Sequence, residues 1–108
     1  MELMSESEFN RHIDDTLLAI ESAIDAADTD LDYENSGGVL TVHCGNGSQL
    51  IINRQTPVRQ LWLATRSGGY HFDWDDDAEG WVRDSDGAPL TEVLAGELAA
   101  QCGEALEL

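Results

Sequence analysis

The fold is decided by QLWLATRSGGYHF, residues 60–72, in which two β-prone runs flank a short turn that contains glycine. Side chains alternate along a strand, so Leu61 and Leu63 share one face and Trp62 lies on the other. Two leucines on one face indicate that this face is buried, which places Trp62 on the solvent side. With a turn at Ser67-Gly68-Gly69, the pattern predicts an antiparallel hairpin with one face packed on a core.

Further β-prone runs, separated by turn signals, extend this hairpin in both directions. Glycine-rich sequences such as Gly37-Gly38 and Gly45-Asn46-Gly47 are typical of tight turns. The segment before them alternates acids with Leu31 and Tyr33, as a half-buried edge strand does. Strands are predicted at residues 30–34, 39–44, 49–54, 58–65, 70–74 and 81–83. Strands that are joined by consecutive hairpins pair antiparallel.

Amphipathic helices are predicted at both ends of the chain. Ser5 and Glu8 have the spacing of a capping box, in which each side chain caps the backbone of the other. An apolar stripe with steps of three or four residues follows and predicts a helix at about 6–26: Phe9, Ile13, Leu17, Ile20 and Ile24. A second stripe predicts a helix at about 90–101 that Gly103 ends, followed by a loosely packed tail.

The order of elements is therefore a helix, five to seven strands and a helix. Two amphipathic helices can cover one face of an antiparallel sheet while the other face meets water. We predict an α+β fold, a two-layer α-β sandwich whose N- and C-terminal helices pack on one face of the sheet. The 108 residues suffice for one core, so a single domain spanning 1–108 is expected.

The charge balance restricts the class of partner. The formal net charge is −17, with 22 acidic residues against five basic ones. Nucleic acids and anionic membranes require a basic face, so this balance argues against both and favours cations or basic proteins. The sequence has no apolar run near the ~20 residues of a membrane helix and no signal-peptide pattern. Cys44 and Cys102 match no metal or redox spacing, so we expect reduced thiols in a cytoplasmic, bacterial-type setting.

An acidic cluster lies near the end of the first predicted helix. Five acids fall within ten residues with no Lys or Arg between them: Asp25, Asp28, Asp30, Asp32 and Glu34. Crowded like charges oppose folding, so the cluster requires a counter-charge, either a hard metal ion or a basic protein surface. A solvated charged face without a ligand is the remaining alternative. Residues 28–32 begin like a calcium loop, but Tyr33 stands where glycine is required, so any metal should bind weakly, with a Kd of ~10⁻⁵ to 10⁻³ M.

Several longer motifs occur in one order over nearly the whole chain. They are Ser7-Glu8-Phe9, Gly37-Gly38-Val39-Leu40-Thr41, Asn46-Gly47-Ser48, Ile51-Ile52-Asn53-Arg54-Gln55, Gln60-Leu61-Trp62-Leu63-Ala64-Thr65 and Gly68-Gly69-Tyr70-His71-Phe72. Together with the acidic end of the first helix, these motifs resemble the bacterial frataxin (CyaY) family. The resemblance implies the same α-β sandwich and a role in iron–sulfur cluster assembly.

The resemblance also implies which residues carry the function. Frataxins bind iron weakly through acids on the first helix and the first strand, and we call the matching positions the acidic ridge: Glu6, Asp14, Glu21, Asp25, Asp28, Asp30, Asp32 and Glu34. Frataxins also dock on a cysteine desulfurase and on its iron–sulfur scaffold protein. Partner contacts are implied at the ridge positions Asp25, Asp28, Asp30, Asp32 and Glu34 and at the outward sheet positions Asn53, Gln55 and Trp62.

These implications favour an iron-binding protein that modulates iron–sulfur cluster assembly by docking on the desulfurase–scaffold complex. Iron donor and regulator remain alternatives, as do activation and inhibition of the desulfurase. Fe²⁺ or Fe³⁺ is the expected ligand, and other hard divalent cations should bind as well. A monomer is expected, with a metal-induced oligomer as the alternative.

Two other classes of function compete with this one. The chain lacks the motifs of hydrolases, phosphate-loop enzymes and zinc proteases, so the competing enzyme is a ferroxidase or iron-storage protein that oxidises Fe²⁺ at clustered carboxylates. A generic acidic adaptor unrelated to iron is the third hypothesis. His12 lies on another face of the first helix and is expected at the surface rather than among metal ligands.

Overall fold

Alternating apolar residues build one face of a six-stranded antiparallel sheet, and the helices pack on that face around a single core. The computed structural model describes residues 4–108. Its elements are α1 (Glu6–Ala26), β1 (Asp32–Ser36), β2 (Val39–His43), β3 (Gln49–Gln55), a 3₁₀ turn (Thr56–Val58), β4 (Gln60–Thr65), β5 (Gly68–Asp75), β6 (Gly80–Arg83), α2 (Leu90–Glu97) and a π-helical turn (Leu98–Cys102). The strands follow in chain order across the sheet from β1 to β6. The predicted α+β sandwich is confirmed.

Helix α1 begins and ends where the sequence predicts. The Ser5 hydroxyl accepts a hydrogen bond from the Glu8 backbone N–H, which satisfies one of the free donors at the helix start. The five apolar residues of the predicted stripe are all buried. Across residues 4–108, no helix is both long enough and apolar enough to cross a membrane.

The hairpin of β4 and β5 has a tighter turn than predicted. Thr65 pairs with Gly68, so the turn is Arg66-Ser67 and not Ser67-Gly68-Gly69. Gly68 has a φ of 145°, a conformation that other residues rarely adopt, which lets β5 start at once. Leu61 and Leu63 are fully buried, and half-buried Trp62 points to the outer face as predicted.

Strand β1 is displaced from its predicted position by two residues. It pairs with β2 from Asp32 to Ser36, whereas residues 30–34 were expected. Leu31 is buried but precedes the strand, so its burial reflects a loop that covers the core rather than strand alternation. The following Gly38 has a φ of 82°, and a Cβ there would lie 3.0 Å from the Arg54 guanidinium, so the turn requires glycine.

The C-terminal part of the chain is more firmly packed than the sequence suggests. Helix α2 ends at Glu97 and continues as the π-helical turn, which Gly103 ends with a φ of 70°. The predicted single helix at 90–101 is therefore shorter and ends in a wider turn. Leu106 is buried in the core, so the expectation of a loosely packed tail is wrong.

The expectation of reduced thiols is also wrong, because Cys44 and Cys102 form a disulfide. Their Cα atoms lie 5.1 Å apart, within the range that the bond requires. The two residues are separated by 58 positions in sequence, so no local spacing indicates the pair. Only the fold brings the end of β2 against the turn that follows α2.

The turn between β6 and α2 contains an ion pair that lowers the pKa of an aspartate. Arg83 binds both carboxylate oxygens of Asp86, at 2.9 and 2.7 Å, and Ala88 N–H donates to the same group at 3.1 Å. The pKa of Asp86 is lowered to about 2, mainly by the hydrogen bonds from Arg83 and next by the hydrogen bond from Ala88 N–H. Because the folded pKa is depressed, this contribution to stability is present above the unfolded pKa of about 4 and is lost as pH falls through about 2.

We expect the Asp86 carboxyl to titrate near pH 2 in a carbon-13 NMR experiment. Arg83→Lys should raise this midpoint toward the ordinary aspartate value, since lysine cannot form the paired contact. Arg66→Lys is the matched control and should leave it unchanged. An unaltered midpoint in Arg83→Lys would contradict the assignment.

Candidate functional site

Six acids of the acidic ridge gather where the end of α1 meets the edge strand β1. We call this group the acidic corner: Glu21, Asp25, Asp28, Asp30, Asp32 and Glu34. Two come from the last turns of α1, two from the loop at 27–31 and two from β1. Glu21 is half-buried and the other five are exposed. The fold therefore concentrates these carboxylates at one edge of the molecule.

Two hydrogen bonds fasten β1 to the helix within the acidic corner. The Tyr33 hydroxyl donates to Asp25 Oδ2 at 2.8 Å, and Asn35 Nδ2 donates to Glu21 Oε2 at 3.0 Å. Strand alternation turns Asp32 and Glu34 to the opposite face of β1. Two acids of α1 are thus held by hydrogen bonds from the helix side of β1, and the two acids of β1 itself lie on its other side.

The local charge also affects Tyr33. Its hydrogen bond to Asp25, followed by desolvation and by the charges of Asp25, Glu21 and Asp32, raises the pKa of the Tyr33 hydroxyl above its ordinary value. The hydroxyl therefore keeps its proton at neutral pH and remains a donor to Asp25. This contact fixes the position of one carboxylate without neutralising its charge.

The negative charge of the acidic corner is not compensated by arginine side chains of the described residues. Within residues 4–108, no Arg forms an ion pair with any of its six acids. His43 lies 4.0 Å from Glu34 and would compensate it only when protonated. The last turn of α1 contains no basic residue, so the negative end of the helix dipole adds to the same potential.

The two remaining ridge acids lie apart from the acidic corner. Asp14 is about 16 Å from Asp25 along the helix axis, and Glu6 is about 28 Å from it, at 1.5 Å per residue. Arg54 binds Asp14 Oδ1 at 2.7 Å and Asn10 Oδ1 at 2.7 Å. Asp14 therefore has an internal counter-charge, and Glu6 sits in the first turn of the helix. The other six predicted ligands lie near the junction of α1 and β1, on α1, on the loop at 27–31 and on β1.

The acidic corner is an open group of carboxylates rather than a closed cage. Among residues 4–108, no three His, Cys, Asp or Glu side chains converge as a preformed metal site. Exposed carboxylates of this kind suit hard cations with oxygen preference and little demand on geometry. The arrangement can attract and loosely hold a cation, and it can equally face a basic protein surface.

The predicted outer-face residues also come together, on the central strands. Asn53 pairs with Trp62 across β3 and β4, and Gln55 pairs with Gln60. The Trp62 ring stacks on His71 with centroids 4.2 Å apart, and its Nε1 donates to Gln60 Oε1 at 3.0 Å. A shallow cavity of about 170 Å³ lies beside this stack. Trp62 and His71 therefore form a flat aromatic patch on the face of the sheet that carries no helix.

Sequence reasoning missed His71 and His43 as neighbours of these surfaces. His71 pairs with Trp62 because the turn between β4 and β5 has two residues, and a correct turn assignment would have indicated it. His43 pairs with Asp32 through the β1–β2 register, which the two-residue error in β1 obscured. The strand register, and not the composition, therefore indicates the position of both histidines.

His12 lies away from both surfaces. Its ring stacks on Trp74 with centroids 3.7 Å apart, and it is half-buried rather than free at the surface. It borders a groove of about 750 Å³ between α1, β6 and α2, which also contains Trp81 and Leu90. This contact gives His12 a packing role.

Comparisons with known proteins agree on one family. The family model described as a frataxin-like domain matches residues 2–104. The chain is 49% identical to the iron-sulfur cluster assembly protein CyaY of Azotobacter vinelandii over 104 residues, which is 96% of this chain and 94% of that protein. It is 47% identical to the protein of the same name from Pseudomonas aeruginosa, with 96% of each chain covered.

Solved structures give the same result. The frataxin of Psychromonas ingrahamii superposes with a TM-score of 0.89 at 35% identity, covering 96% of this chain and 97% of that one. Trimeric frataxin from Saccharomyces cerevisiae, complexed with ferrous ion, gives a TM-score of 0.61 at 29% identity, covering 96% and 91%. Sequence, fold and family model agree over nearly the full length, and the chain belongs to the frataxin family.

Proposed function

We propose that this chain is an iron-binding protein of iron–sulfur cluster assembly that modulates the process by docking on a cysteine desulfurase and its scaffold. The observation that carries the proposal is the acidic corner, whose six exposed or half-exposed carboxylates have no Arg partner within residues 4–108. Such charge opposes folding and therefore requires an external counter-charge. The names of the bacterial relatives support the pathway.

The proposed ligand is iron, bound weakly. A yeast relative has been solved with ferrous ion, which supports iron as the metal of the family. The carboxylates of the acidic corner are hard oxygen donors, and their open arrangement favours a Kd of ~10⁻⁵ to 10⁻³ M over tight binding. Other hard divalent cations should bind with little discrimination, because the geometry imposes no fixed coordination number.

The proposed partners would use two different faces. A basic surface of the desulfurase fits the acidic corner, where the surface field would speed association and set orientation. The aromatic patch around Trp62, with Asn53 and Gln55 beside it, fits the scaffold protein. The chain would act as a single domain in the cytoplasm, where its bacterial relatives are expected to work, and as a monomer that can associate further on metal.

The shared use of the acidic corner can be tested by competition. We expect saturating Fe²⁺, added without oxygen and at constant ionic strength, to weaken binding to purified desulfurase several-fold, because cation and partner occupy the same carboxylates. Isothermal titration calorimetry measures both affinities. Unchanged desulfurase affinity in the presence of iron would show that the two ligands do not share this surface.

Trp62→Ala should weaken binding to the scaffold protein by about 2 kcal/mol or more. Trp62 is half-buried on the outer face, while its neighbours Leu61 and Leu63 fill the core, so the melting temperature should change little. Surface plasmon resonance measures the first effect and calorimetry the second. Leu18→Ala, at a 62% exposed apolar site on α1, is the matched control and should leave scaffold binding intact. A large loss of melting temperature, or unaltered scaffold binding, would contradict the assignment of Trp62.

A further inference from the structure

The disulfide between Cys44 and Cys102 joins two distant parts of the chain. Cys44 directly follows β2, and Cys102 is the last residue of the π-helical turn after α2. The bond therefore fastens the C-terminal segment to one end of the sheet. Neither cysteine is a member of the acidic corner or of the aromatic patch of the outer face.

The two sulfur-bearing residues differ in access to solvent. Cys44 is buried, with 6% exposure, while Cys102 is half-buried. A thiolate from solution therefore reaches the Cys102 side of the bond first. Attack on one sulfur of a disulfide is the step by which such bonds are exchanged.

Non-covalent contacts hold the two cysteines together independently of the bond. The buried Gln101 side chain donates to Gln49 O at 2.9 Å and accepts from Arg66 N–H at 2.8 Å. Asn46 Nδ2 donates to Gln101 O at 2.8 Å. Leu98 and Leu106 are buried on either side of Cys102 in sequence. These contacts remain when the bond opens, so the thiols stay adjacent and re-pair as an intramolecular reaction.

We propose that Cys44 and Cys102 form a reversible thiol–disulfide exchange site that takes a dithiol reductant and, in reverse, a low-molecular-weight disulfide. One thiolate of the reductant bonds to the Cys102 sulfur, and the Cys44 sulfur leaves as a thiolate and takes up a proton. The second thiolate of the reductant then attacks the sulfur bonded to Cys102, which releases the Cys102 thiolate and the oxidised reductant. Two electrons pass to the protein, and oxidised glutathione reverses the change.

The oxidation state should alter the stability of the folded chain. The bond closes a long loop, and opening it restores conformational freedom to the unfolded chain. The turn after Cys44 also packs on the acidic corner, since a Cβ on Gly45 would lie 3.0 Å from Asp30 Cβ. Reduction should therefore lower the melting temperature of the whole chain, while residues 98–106 keep their native contacts and the turn at Gly45 stays packed on Asp30.

The test uses the full chain without metal or partner, so its outcome is independent of the proposed iron function. Dithiothreitol is added under native conditions, and free thiols are trapped over time with a maleimide reagent. We expect reduction at least about tenfold faster than exchange of core amides through global unfolding, because the exchange site opens locally. The reduced chain should stay folded by circular dichroism and melt about 10 °C or more below the oxidised chain.

Cys44→Ala with Cys102→Ala is the control and should melt like the reduced chain whatever the redox buffer. Oxidised glutathione should restore the bond and the melting temperature of the natural chain. Three results would overturn the proposal: reduction no faster than global unfolding, thiols that stay free in oxidised glutathione, or equal melting temperatures for the two redox states.

Discussion

Neutralising the acidic corner is expected to reduce the affinity for Mn²⁺ or Fe²⁺ by a factor on the order of 100, by summed Coulomb attraction of several carboxylates at short range. The variant replaces five of the six acids by their amides: Asp25→Asn, Asp28→Asn, Asp30→Asn, Asp32→Asn and Glu34→Gln. Amide oxygens still accept hydrogen bonds, so the contact from Tyr33 to residue 25 can persist. The same variant should melt at a higher temperature, because like-charge repulsion near the negative end of α1 is removed.

A matched control variant distinguishes the effect of where the charges lie from the effect of net charge on the cation affinity. The end of β5 and the loop that follows it offer five acids for the same amide replacement: Asp73, Asp75, Asp76, Asp77 and Glu79. Three of them already accept local hydrogen bonds, from Gln60, Asp77 N–H and the Trp74 indole respectively. This control should retain most of the cation affinity. Equal losses in the two variants would show that net charge, and not the acidic corner, attracts the cation.

Phe9→Ala is expected to destabilise the protein by about 3–5 kcal/mol. Phe9 is fully buried and packs edge-on against Trp81, with ring centroids 6.0 Å apart, so alanine leaves a cavity between α1 and the sheet. Urea unfolding of the oxidised chain measures the loss. A domain of this size has a free energy of unfolding of about 5–15 kcal/mol, so the loss is a large part of the total.

Leu18→Ala on the same helix is the control, since Leu18 is 62% exposed and should change stability by no more than about 0.5 kcal/mol. Should Phe9→Ala not fold, Phe9→Leu keeps most of the volume and should give a smaller, measurable loss. Similar free energies of unfolding for the Phe9 and Leu18 variants would mean that α1 does not pack as described.

The features that the sequence predicts well are those set by neighbouring residues. The bounds of α1 follow from the Ser5 cap and from an apolar stripe with helical period, both of which act within one or two turns. The outward direction of Trp62 follows from Leu61 and Leu63, because strand alternation is a local rule. The acidic corner is visible for the same reason, as five of its six members fall within ten residues.

The features that the sequence does not reveal depend on residues far apart in the chain. Arg54 neutralises Asp14 across 40 positions, and Cys44 meets Cys102 across 58. The start of β1 is decided by its pairing with β2 and not by its own alternation of acid and apolar residues, which is why the prediction was two residues early. Each of these contacts exists only once the sheet register is set.

A paramagnetic NMR titration tests most directly whether the acidic corner is where cations bind. Mn²⁺ is added in small steps to the nitrogen-15-labelled chain, and the loss of amide signals is followed residue by residue. We predict that signals from Glu21 to Glu34 disappear first, while the Trp62 indole and the acidic segment at 73–79 keep their intensity. Uniform broadening over the chain, or earlier loss of the 73–79 signals, would contradict the account.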